Sequence, residues 1–81
     1  MQRIKQFHDS THAQERSEER EITLQAMKDI VSYHDAKRQQ YRGNHGGFVY
    51  KFTKQVAGKT IAVVAEVKQD ECWLVSAFPL L

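Results

Sequence analysis

Residues 61–67 read Ile-Ala-Val-Val-Ala-Glu-Val and, apart from Glu66, are apolar at odd and even positions alike. Successive side chains of a strand point to opposite faces. A strand with this pattern needs cover on nearly both sides and belongs in the centre of a sheet. Other strands must therefore flank it. Just upstream, Phe48, Tyr50 and Phe52 share one strand face, with Val49, Lys51 and Thr53 on the other. Ala57-Gly58 marks the turn between these two strands, and Gln69-Asp70 marks the next. Glu71 to Phe78 then forms a last strand that Pro79 stops. Such short connections imply an antiparallel meander.

Upstream of residue 35 the pattern changes. Asp9-Ser10-Thr11 supplies three consecutive N-cap residues, and the stretch from Thr11 to Glu21 contains neither glycine nor proline. This first helix has Ala13 as its only clearly apolar residue. Thr23 caps a second helix, in which Leu24, Met27, Ile30 and Val31 recur at helical spacing and form a face that must dock on something. Residues 3–8 alternate weakly and suit a short edge strand. The polar segment from Asp35 to Gly47 ends in Arg42-Gly43-Asn44-His45-Gly46-Gly47, which reads as a connecting loop. The expected architecture is α+β, one domain over 1–81. Two N-terminal helices, at about 10–34, pack on a three- to four-stranded antiparallel β-sheet at about 47–79.

Several classes are excluded early. With 81 residues the chain holds one thin core and no second domain. Its longest apolar run, 60–67, is far shorter than the roughly 20 residues a membrane span needs. The first eight residues offer no apolar stretch for a secretory signal. Cys72 is the single cysteine, so an internal disulfide is impossible, and its apolar neighbours read it as a small buried hydrophobe. His8, His34 and His45 do not stand at metal-ligand spacings from His12 or from a carboxylate pair, so no zinc site is expected. Net charge is only +2, but its distribution is uneven. Lys37, Arg38 and Arg42 gather around Tyr41, lysines punctuate the strands, and acids concentrate in residues 15–21. That asymmetry permits an anionic partner.

The residues with chemistry lie on the first helix. His12, Arg16 and Arg20 stand four apart and form one stripe. A solvated helix with internal salt bridges is the plain reading. Against it, a helix with one alanine has little hydrophobic reason to dock, unless the stripe lines a polar cleft against the sheet. His and Arg together also suit phosphodiester chemistry. Imidazole exchanges protons near neutral pH, and guanidinium stabilises the charge that grows on phosphorus-bound oxygens.

Phe7-His8-Asp9-Ser10-Thr11-His12-Ala13-Gln14-Glu15-Arg16, followed by Glu19-Arg20-Glu21-Ile22-Thr23, resembles a family of small bacterial and phage domains. These share a Ser-x-His-Ala-x-x-Arg helix, an Arg-x-Ile-Ser/Thr lead into a second helix, and three closing strands, the last ending in a hydroxyl residue and an aromatic. Here Val75-Ser76-Ala77-Phe78 stands in that place. The family is similar to the barnase/EndoU/colicin/RelE-like (BECR) ribonuclease toxins, and the resemblance runs from Ile4 to Phe78. It implies an endoribonuclease that needs no metal or other cofactor and acts on RNA, with tRNA the expected class. Catalysis would fall to His12, Arg16, Arg20 and Ser76, a serine where threonine is usual. Lys51 or Tyr50 would assist, although only one of the two can face the cleft and Tyr50 also reads as packing with Phe48 and Phe52. Arg38 and Arg42 would bind substrate, and His45 would reach in from the glycine-rich loop. The resemblance further implies a monomer that acts in the bacterial cytoplasm and is neutralised by an immunity protein or antitoxin. Delivery as the C-terminal domain of a secreted effector is one route. The alternative is a non-catalytic module of the same fold that binds RNA or a protein through residues 37–42.

Overall fold

The computed structural model describes residues 3–80. The chain runs β1 (Gln6–Asp9), α1 (Thr11–Arg20), α2 (Leu24–Ser32), β2 (Ala36–Arg42), β3 (Phe48–Val56), β4 (Lys59–Lys68) and β5 (Glu71–Leu80). The architecture is α+β as expected, but the sheet is larger and mixed. Five strands lie in the order β1-β5-β4-β3-β2. The β2-to-β5 meander is antiparallel, whereas β1 pairs in parallel with β5, Gln6 opposite Glu71 and His8 opposite Trp73.

Two expectations are corrected here. Residues 36–42 form an edge strand rather than part of a loop, and every one of them is exposed. An edge strand with no buried face carries no apolar alternation, which is why the segment reads as loop. The last strand also continues through Pro79, which pairs with Ile61. Among the described residues no strand lies outside β5 beyond Leu74, and a free edge is where a sheet tolerates proline.

One face of the sheet carries the helices. Phe52, Val63, Ala65, Cys72, Leu74 and Ala77 meet Met27, Ile30 and Val31 of α2 in a single core. Thr23 caps α2, its Oγ1 accepting from the Ala26 N–H at 3.0 Å. The β3–β4 hairpin turns on Ala57 and Gly58, both at positive φ (51° and 81°), the conformation of a two-residue hairpin that matches strand twist.

The nearly apolar-free α1 docks by another means. Ala13 is fully buried against the core. Ser10 caps the helix by accepting from the Ala13 N–H at 3.0 Å, and its hydroxyl donates to the Leu74 carbonyl at 2.9 Å. At the other end Arg20 donates to the Ala77 carbonyl at 2.7 Å and lies 5.9 Å from the Phe78 ring. Ser10 and Arg20, at the two ends of α1, thus satisfy carbonyls of β5 at and beyond the point where β1 stops.

Candidate active site

Among the described residues no helix covers the second face of the sheet, and its side chains fall into cross-strand rows. One row contains His8, Trp73, Glu66, Val49 and Tyr41, read from β1 across to β2. The loop between β2 and β3 folds over this row. Between that loop and the start of α1 lies a groove of about 510 Å³, into which His8, His12, His45, Arg42 and Trp73 all project surface.

Glu66 organises the groove. It is 3% exposed, the one buried charged residue among those described. The backbone N–H groups of His45 and Gly47 donate to its Oε2 at 2.8 and 2.9 Å, and His45 Nδ1 stands 2.9 Å from Oε1. Burial pushes the Glu66 carboxyl upward, but the hydrogen bonds from the His45 ring and the two amides outweigh it. The net pKa falls below the usual carboxylate range. An ionised carboxylate can only accept, so Nδ1 of His45 carries the hydrogen. When the ring is neutral, its Nε2 is then the free base. Gly43 is required by the same carboxylate, because a Cβ there would collide with the Glu66 side chain.

Trp73 holds the rings in place. His45 stacks on it with centroids 4.3 Å apart and planes within 7°, and His8 stacks at 5.0 Å and 14°. His8 comes from the strand on one side of Trp73, while His45 is tethered to Glu66 on the other. His8 Nε2 also meets Glu71 Oε1 at 3.2 Å. Both imidazoles are therefore held by a carboxylate and the same indole.

The expected site residues divide. His12, exposed in the first turn of α1, lines the groove together with His45 and Arg42. Arg16 and Arg20 do not join them: Arg16 pairs with Glu19 at 2.6 Å, and Arg20 is bound to β5. The stripe therefore does not line one cleft. Tyr50 faces the helices, its ring 5.9 Å from Phe52 and 4.9 Å from Lys37 Nζ. That leaves Lys51 on the open face, directly opposite Arg38, with Val64 and Ser76 continuing their row. Ser76 stands near the far end of that row, with Val64 between it and Lys51.

The chain was compared with protein-family models, curated proteins and solved structures. It matches none. The case for function therefore rests on the groove.

Sequence reasoning missed Glu66 and His8. The signal for Glu66 was present, because it is the single acid inside a strand otherwise apolar on both faces. His34 is packed structurally, its Nδ1 at 3.0 Å from the Val31 carbonyl and its ring 5.0 Å from Phe52. The Cys72 thiol is buried and pushed up to about 12, chiefly by burial and then by the Asp9 charge, so it is no nucleophile at neutral pH. Among the described residues no three His, Cys, Asp or Glu side chains converge as metal ligands would.

The lowered carboxyl of Glu66 fixes a sign for acid stability. A group with a depressed folded-state pKa stabilises fully above its unfolded value, here about 4.5, and the contribution is lost as pH falls through the folded value. Denaturant midpoints of the wild type should therefore fall below pH 4.5 more steeply than those of Glu66→Gln. Parallel curves would show that the Glu66 carboxylate is not held by these bonds.

Proposed function

We propose that this protein is an endoribonuclease that cleaves RNA without a metal, and that the groove is its active site. One observation carries the reading: His12 and His45 line the same groove, and a buried, ionised carboxylate fixes the tautomer of His45. Two imidazoles, one neutral and one protonated, can take a proton off one oxygen while giving another to the leaving oxygen.

In this reading Nε2 of His45 takes the proton of a ribose 2′-OH, and that oxygen attacks the adjacent phosphorus. The phosphorus–O5′ bond breaks as the new bond forms. His12, as imidazolium, gives its proton to the departing O5′. The products are a 2′,3′-cyclic phosphate and a 5′-OH, and the two histidines have exchanged protonation states. Glu66 positions His45 and stabilises the imidazolium formed there, the part a carboxylate plays beside any histidine base. Arg42 lines the groove wall from the end of β2, but its guanidinium lies 5.1 Å from the Phe48 ring, toward the helix-bearing face, and takes no part in this step.

The resemblance of the Ser10–Arg16 and Arg20–Thr23 motifs to small toxin domains supports the choice of RNA, with tRNA as the target class. It also supports action in a bacterial cytoplasm and neutralisation by an immunity protein or antitoxin. Such an inhibitor would cover the groove with acidic residues.

The test is incubation of the purified protein with total bacterial RNA in excess EDTA, with fragment ends read by enzymatic end-labelling. Discrete fragments bearing cyclic phosphates are the expected result. Intact RNA with folded protein, or cleavage only when a divalent metal is restored, would refute it.

A further inference from the structure

Residues 36–65 contain six cationic side chains and no acidic one. Most of the six are engaged or remote. Lys54 bonds the Tyr33 carbonyl at 2.9 Å and approaches Asp35 at 3.8 Å. Lys37 lies over Tyr50 and Arg42 over Phe48. Lys59 stands at the start of β4, beside the hairpin turn. Arg38 and Lys51 remain, and they are directly opposite each other in the β2–β3 register.

Opposed residues of an antiparallel pair share a face with Cβ atoms about 4.5–5.5 Å apart, where like charges repel. Neither of these two forms an ion pair among the described residues. Across the row, the neighbour of Lys51 on β4 is Val64, which offers no countercharge. Arg38 alone would be ordinary edge protection, since charged side chains commonly blunt a sheet edge. Lys51 has no such explanation, because β3 is an interior strand. Lys51 also shares its strand face with Val49 in the groove wall, two residues or about 6.8 Å along β3. The pair therefore sits beside the groove, on the same face, at the open side of the sheet.

We propose that Arg38 and Lys51 form an anion subsite that holds the RNA phosphate next to the one being cut. This rests on the ribonuclease reading and adds a direction to it: the nucleic acid leaves the groove across β3 toward the β2 edge. The guanidinium fork and the ammonium converge on one phosphate, and the bound anion turns their mutual repulsion into attraction to a shared partner. Single-stranded nucleic acid is commonly held by such a basic track along its backbone.

The probe is a short 2′-O-methyl RNA oligonucleotide, which has no free 2′-OH and so binds without being cut. Its Kd is measured across a salt series for the wild type, for the double variant Arg38→Gln/Lys51→Gln, and for Lys5→Gln/Lys59→Gln, which removes the same charge elsewhere. We expect the first pair to weaken binding about tenfold and to lower the slope of log K against log salt by about 0.7, the value for one single-strand phosphate contact. The second pair should leave the slope unchanged. Thermal unfolding of Arg38→Gln/Lys51→Gln should occur at an unchanged or higher temperature, so that lost binding is not lost folding. An unchanged slope in the first pair, or equal losses in both pairs, would overturn the subsite. Probe binding that depends on the pair, in a protein that leaves RNA intact, would support the subsite and sink the cleavage reading alone.

Discussion

His45→Ala is expected to slow RNA cleavage by about 10²–10⁴-fold, the usual contribution of one positioned proton-transfer group. The ring is placed by three contacts: the Glu66 carboxylate at Nδ1, the same carboxylate accepting from the His45 backbone N–H, and the Trp73 indole beneath it. Such a group is pre-organised, so its removal should lower kcat more than it raises KM. Glu66→Gln should have a smaller effect that also changes the shape of the pH–rate profile, because an amide can no longer stabilise the imidazolium. Adding His12→Ala to His45→Ala should cost much less than the product of the single effects, since residues that act as a unit are strongly non-additive. Wild-type rates in His45→Ala would remove this histidine from the chemistry and with it the role given to Glu66.

The second large effect concerns the other face of the sheet. Phe52→Ala should destabilise the protein by about 3–5 kcal/mol, the cost of truncating a fully buried aromatic and leaving a cavity. Phe52 is 0% exposed and lies in the cluster that joins β3 to Met27, Ile30 and Val31 of α2. An 81-residue domain has a total stability of roughly 4–12 kcal/mol, so the variant would stand at the margin of folding. Urea denaturation followed by far-UV circular dichroism gives the difference directly. A loss below about 1 kcal/mol would mean that α2 does not seat on this ring, and the core described above would be wrong.

Much of the fold was legible because it rests on local chemistry. Ser10 and Thr23 are N-caps as their residue types predict, the turns fall at Ala57-Gly58 and Gln69-Asp70, and the doubly apolar β4 lies in the sheet centre. What escaped depends on partners far away in sequence. The fully exposed β2 is a strand only because β3 offers it a ladder, and the parallel pairing of β1 requires β5, more than sixty residues later.

The Ser10–Arg16 and Arg20–Thr23 motif also separates into parts that sequence alone could not tell apart. Ser10, Ala13, Arg20, Ile22 and Thr23 serve docking, packing or capping. His12 is left as the residue with a free imidazole at the groove, and Arg16 is paired on the helix surface. A stripe drawn from four-residue spacing cannot reveal this, because spacing shows which side chains share a face but not which of them is already bonded. The groove itself was half visible: His12, Arg42 and His45 were expected there, whereas Glu66 was hidden in a strand whose other residues are apolar.

The parallel ladder between β1 and β5 carries a consequence for how the chain reaches its fold. The meander from β2 to β5 closes through short turns, at little loop-closure cost. The pairing of Gln6 with Glu71 has to enclose nearly everything made in between. Contacts of such long sequence separation slow folding and are favoured late, after local structure has formed. The order of synthesis sharpens this, since the first strand leaves the ribosome long before its only neighbour exists. Until then the outer edge of β5 and His8, one of the two rings that flank Trp73, wait on the same closing step, so the groove is completed only when the sheet is.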